Sequence, residues 1–242
     1  MVIPSLLFLS AFAAATPGTE SQPSDLDPPV TSPALPAPNG FMAGLRLGYG
    51  LPMGGFATLS GGRQANLSGE FSGQIPLWFE LGYRISERFI PALYLSVGYP
   101  FLVKDGSGLA ATECHVTGVT SCAGNFIVRV GFEFLVKPWP RESFSPWFGI
   151  GTGYESAGYV LKDGSGGEAT VSYRGWEFFN AQLGADYRTS RSVAFGPYVA
   201  LSVGRYSSVN LSSGNQSVGT ISIDSPLTHE WLQFGIRFLV DY

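Results

Sequence analysis

Charge is scarce in this chain. Asp, Glu, Lys and Arg make up 13% of its 242 residues, against roughly a quarter in an average soluble domain, which is too little for an ordinary water-facing surface. There is no basic run and the net charge is −4, so the electrostatic footprint of a nucleic-acid binder is missing. Nowhere does an apolar run reach the ~18 residues that a membrane-spanning helix needs. If the chain crosses a membrane, it does so as strands. Two cysteines and two histidines leave little material for a metal centre, which usually takes about four ligands, and nothing in the pattern asks for a cofactor.

Glycine and aromatic residues are plentiful instead: 32 Gly, 18 Phe and 11 Tyr. Among β-branched neighbours they suit an all-β chain with tight turns and close backbone contacts. Residues 1–15, MVIPSLLFLSAFAAA, hold a short apolar core from Leu6 to Phe12 and then small residues, the pattern of a secretory signal peptide cleaved after Ala13 to Ala15. No basic n-region precedes that core, the first arginine being Arg46. Residues 16–39 contain seven prolines and almost no large apolar side chain. Such a stretch buries too little surface to offset its chain entropy and is expected to be a disordered, partly polyproline-like tail.

From residue 40 to residue 242 the side chains alternate, and eight segments can be placed. They centre on Phe41–Tyr49, Ile75–Tyr83, Leu93–Tyr99, Phe126–Phe134, Phe148–Glu155, Phe179–Tyr187, Phe195–Gly204 and Leu232–Tyr242. A strand has a side-chain period of two, so each segment has one greasy face and one mixed face. Short connections near residues 86–88, 137–145 and 188–192 alternate with four long ones at 51–74, 102–124, 156–175 and 207–228, rich in Gly, Ser, Asn and Thr. Long loops at one end and short turns at the other describe an eight-stranded antiparallel up-and-down transmembrane β-barrel. Tyr49, Tyr99, Tyr154, Trp176, Tyr206 and Trp231 fall near the long-loop ends, and Phe41, Tyr83, Trp139, Phe148, Tyr187 and Tyr242 near the short-turn ends. They are expected to form two interfacial girdles.

The mixed face holds Arg46, Glu80, Arg84, Arg129, Glu133, Glu155, Asp186, Arg237 and Asp241 among glycines. A lipocalin-like barrel would need that face to be an outer surface, and it is too poor in charge. It is expected to line a lumen just wide enough for side chains to fill, with four arginines and five acids in one hydrogen-bonded ion network. The greasy rows then meet lipid, where barrel closure satisfies every backbone group.

The terminal FGIRFLVDY, with FELGYRISERFIPALYLSVGY and PWFGIGTGYE, resembles the small eight-stranded Gram-negative outer-membrane β-barrel superfamily that includes OmpA-, OmpX- and OmpW-type barrels. The resemblance spans roughly residues 40–242. It implies insertion into the outer membrane by the barrel-assembly machinery, with Phe234, Ile236, Phe238, Val240 and Tyr242 as the C-terminal assembly signal, here ending on Tyr where Phe is more usual. It also implies extracellular loops, periplasmic termini, and contact with outer-membrane lipid and lipopolysaccharide. The proline-rich tail would then reach periplasmic partners, and a monomer is expected. No catalytic site comes with the resemblance.

Cys114 and Cys122 form an even pair in an exported chain and are expected to make a disulfide within the second long loop. Asp224, Ser225, His229 and Glu230 form the one Ser/His/acid cluster, read as polar rim residues rather than a triad, since proximity in a loop does not orient a base. The pentapeptide KDGSG occurs at Lys104–Gly108 and again at Lys162–Gly166, and Asp-Gly marks both as hairpin tips. The leading functional expectation is a nonenzymatic membrane barrel with a structural or surface-interaction role carried by four long loops. Alternatives are a narrow pore or OmpW-like transporter of small or apolar solutes, and a lipid-modifying rim enzyme using His229.

Overall fold

The computed structural model describes residues 39–58, 62, 64–104, 108–214 and 216–242. The signal segment and nearly all of the proline-rich stretch lie outside the described residues. Eight strands close into a ring: β1 (Gly40–Thr58), β3 (Phe71–Arg84), β4 (Phe89–Leu102), β5 (Val119–Val136), β6 (Phe144–Asp163), β7 (Glu168–Arg188), β8 (Val193–Ser213) and β10 (His229–Asp241). Each pairs antiparallel with its sequence neighbour in the ring, and β10 pairs with both β8 and β1 to close it. Two short strands, β2 (Gln64–Asn66) and β9 (Gln216–Ser222), and two short helices, α1 (Leu67–Glu70) and α2 (Leu109–Cys114), lie in the long connections.

The parity of each strand decides its faces. On β10, Phe234, Ile236 and Phe238 point outward, Ile236 being 63% exposed, whereas Arg237 between them is fully buried. Directly opposite residues repeat the pattern around the wall, as in Phe238, Leu45 and Phe79 on β10, β1 and β3. The short turns are tied by their own groups. Ser86 Oγ accepts from the N–H groups of Arg88 and Phe89, and Ile85 N–H donates to Phe89 O at 3.1 Å.

Two expectations need correction. The loops are much shorter than 51–74, 156–175 and 207–228, because β1, β6, β7 and β8 continue well past the alternating segments. In those extensions the apolar/polar alternation fades, and glycine and hydroxyl residues hide the strands. Secondly, Tyr206 and Trp231 are fully buried inside the ring and do not belong to the outer girdle. Tyr206 shares its parity with Ser202 and Gly204, and Trp231 with Gln233, all of them inward. Tyr99, Tyr154 and Trp176 do face outward, with Tyr154 and Trp176 in edge-on contact at 5.6 Å.

Candidate functional site

The middle of the lumen is built on one bridging carboxylate. Arg46 on β1 and Arg237 on β10 are register partners, and Glu80 on β3 reaches both, 2.6 Å from Arg46 Nη2 and 2.5 Å from Arg237 Nε. Gly44 faces Glu80 across β1 and β3, and a side chain there would overlap the carboxylate. Arg46 also donates to Gln182 Oε1 at 2.5 Å and approaches Glu133 at 3.3 Å, while Gln182 Nε2 donates to Glu133 at 2.8 Å. The guanidinium lies about 5 Å from the ring centres of Trp78 and Trp147, so the charge is shielded by rings as well as paired.

Toward the short turns, Asp186 accepts from Arg237 (3.0 Å), Lys137 (2.7 Å) and Trp147 Nε1 (3.1 Å). Asp241 pairs with Arg84 and Arg188, both at 3.2 Å. Toward the loops, Glu155 accepts from Arg129 Nε at 2.8 Å, from Trp231 Nε1 at 3.3 Å and from the Tyr206 hydroxyl. His229 lies 3.5 Å from the same carboxylate and stacks on Tyr206 at 4.1 Å. Glu177 accepts from the hydroxyls of Tyr94 and Ser202 and from Asn180 Nδ2 at 2.9 Å.

All nine charged residues expected in the lumen are buried there, joined by Glu177, Lys137 and Arg188. Six carboxylates thus share the lumen with six cationic side chains, and their formal charges cancel. Removing either partner of a buried pair strands the other, at roughly 3–5 kcal/mol.

Above this network the lumen is stopped by apolar side chains. Phe56 packs on Tyr173 at 4.9 Å, Tyr173 on Tyr206 at 5.7 Å, and Phe71 on Trp231 at 6.3 Å. Leu67 of α1 and Ala110 of α2 complete the cluster. A six-residue helix is too short to be stable alone, and three contacts hold it. The Glu70 carboxylate accepts the N–H groups of Leu109 (2.6 Å) and Ala110 (2.7 Å), Tyr159 donates to Glu113 at 2.8 Å, and Cys114 is disulfide-bonded to Cys122, with Cα atoms 5.7 Å apart. Burial pushes the Glu70 carboxyl above its ordinary range, against the two backbone N–H groups that lower it.

No known protein-family model and no curated protein matches the chain. Among solved structures, the outer membrane protein OprG from Pseudomonas aeruginosa aligns with a TM-score of 0.50 at 13% identity, over 86% of this chain and 97% of that one. This is the fold of a small outer-membrane β-barrel. The outer membrane protein AlkL (TM-score 0.45, 13% identity, 90% of this chain and 98% of that one) and Neisserial surface protein A (0.42, 12%, 85% and 98%) are also similar.

Alternation does not reveal Glu177 because strand parity breaks beside it. Phe178 and Phe179 both point outward, at 53% and 45% exposure, across a bulge where two residues of β7 oppose Thr152 of β6. The adjacent aromatic pair was the available signal. Lys137 directly follows β5 and Arg188 ends β7, both within stretches that the alternation marks as turns. The Ser/His/acid cluster does not assemble: Asp224 and Ser225 are exposed while His229 is buried beneath Tyr206. The second KDGSG forms a hairpin tip, with Asp163 accepting from Ser165 N–H, Ser165 Oγ and Gly167 N–H at 2.7–2.8 Å, bonds that lower its carboxyl pKa. Part of the first copy lies outside the described residues.

Proposed function

We propose that this protein is a nonenzymatic outer-membrane barrel whose work is done at the surface by its loop-side end, over a lumen that serves as a structural plug. The observation that carries this reading is the filling of the ring. Trp78, Trp231, Arg46, Arg129, Arg237, Tyr94 and Tyr198 are among the largest fully buried side chains, and all project inward. A lumen crowded with paired charges and closed by rings favours a plug over an open channel. In this reading the loops are extracellular and the termini periplasmic. The outward row of Phe234, Ile236, Phe238, Val240 and Tyr242 serves as the assembly signal, the proline-rich segment contacts periplasmic partners, and the protein works as a monomer.

The test is planar-bilayer conductance of the purified, heat-modifiable protein. The reading expects no discrete channel events. Reproducible conductance steps would overturn the plug and favour the transporter.

A further inference from the structure

Two arginines that the lumen does not use stand outside the barrel. Arg174 on β7 and Arg205 on β8 are both exposed, on neighbouring strands at the loop-side end, and neither has an ion-pair partner among the described residues. Arg205 is the register partner of Trp176, which in turn faces Tyr154. The two cations therefore sit at the level of the outer aromatic belt, with Arg174 one outward position nearer the loops than Trp176. An arginine on a lipid-facing wall is costly except near the interface, where its planar fork of donors meets headgroup phosphates.

Immediately below this pair the wall is indented. The β7 bulge turns Phe178 and Phe179 outward together, and a cleft of about 390 Å³ opens between them and Phe132, Phe134, Ile150 and Thr152. Phe178 connects the two levels: the Arg205 guanidinium carbon lies 5.7 Å from its ring centre. Cation, aromatic belt and apolar cleft thus follow one another along the wall in the order in which phosphate, interface and hydrocarbon follow one another in a lipid leaflet.

We propose that this face of β5, β6, β7 and β8 is a specific binding site for a net-anionic, phosphate-bearing lipid of the loop-side leaflet, with the phosphate held by Arg174 and Arg205 and an acyl chain in the cleft. The inference rests on the membrane-barrel reading above. The full chain in mild detergent is titrated with diphosphoryl lipid A, with phosphatidylcholine and with inorganic phosphate, and retained molecules are counted by native mass spectrometry. One lipid A per chain is expected to be retained, and neither of the other probes. The R174Q/R205Q variant should bind lipid A at least tenfold more weakly, and F178A/F179A should also weaken it. R88Q/R191Q, which alters turn-side arginines, should leave binding unchanged.

Equal retention of phosphatidylcholine, full competition by inorganic phosphate, or undiminished binding by R174Q/R205Q would each overturn the site. The single variants R174Q and R205Q keep the test available if the double variant fails to fold, as judged by its heat-dependent gel shift. A wild-type protein that shows no such shift and stays in the soluble fraction would instead sink the membrane reading itself.

Discussion

Arg46 and Arg237 face each other directly across the β1–β10 pair that closes the barrel, and the Glu80 carboxylate lies between them, one oxygen on each guanidinium. Two like charges opposite one another in a sheet destabilise it. Here they become the seam of the ring, because a third strand contributes the counter-charge. β10 is thereby joined to β1 through a residue on β3.

Glu80→Gln should be severe. It leaves two buried arginines opposed with only neutral oxygen between them, at a cost of roughly 3–5 kcal/mol. Urea unfolding followed by gel mobility should report a large fall in midpoint. Glu87→Gln breaks an exposed turn pair with Arg141 and should leave the midpoint where it is. Equal effects from the two substitutions would refute the bridging role.

Gly153→Val should block assembly. A Cβ at Gly153 would stand 2.7 Å from Val130 O and would strike the Tyr94 hydroxyl that bonds Glu177. The fraction of heat-modifiable protein should drop sharply. Gly219→Ala, where nothing lies within 4 Å of the added carbon, should assemble normally.

Acid should not release the loop cap. Burial raises the folded pKa of Glu70, so the folded loops bind a proton more tightly than the unfolded chain does. The penalty for the ionised carboxylate is absent below the ordinary glutamate value of 4.5 and grows as pH rises through the folded value. The protection factors of the Leu109 and Ala110 amides, corrected for the slower intrinsic exchange in acid, should therefore be as high at pH 4.5 as at pH 7.5, or higher. Lost protection on acidification would contradict the sign.

Cys114→Ser should loosen the cap without melting the barrel. The bridge closes a loop of sequence separation 8, worth roughly 2–3 kcal/mol in the chain-entropy model. Protease should cut between β4 and β5 faster in the variant, while the heat-dependent gel shift of the barrel persists. A lowered barrel transition would mean that the loop cap and the barrel melt as one.

The sequence by itself determined the number of ring strands, the face of each along its alternating stretch and most of the charges that go inside. A period of two is a local property that alternation makes visible, and charges on the mixed face of strands whose other face is apolar have nowhere to go but a paired interior. Only the tertiary structure decided which acid meets which base, because Glu80 and Arg237 are 157 residues apart and register alone brings them together. It also decided what lies where alternation fails. Glu177 turns inward past a bulge, Tyr206 and Trp231 close the lumen instead of joining the belt, and Glu70 is buried to cap a helix in another loop. Glu177 depends on a one-residue shift of parity and Glu70 on contact between loops, neither of which leaves a periodic trace in the chain, whereas Tyr206 and Trp231 simply keep the inward parity of their strands.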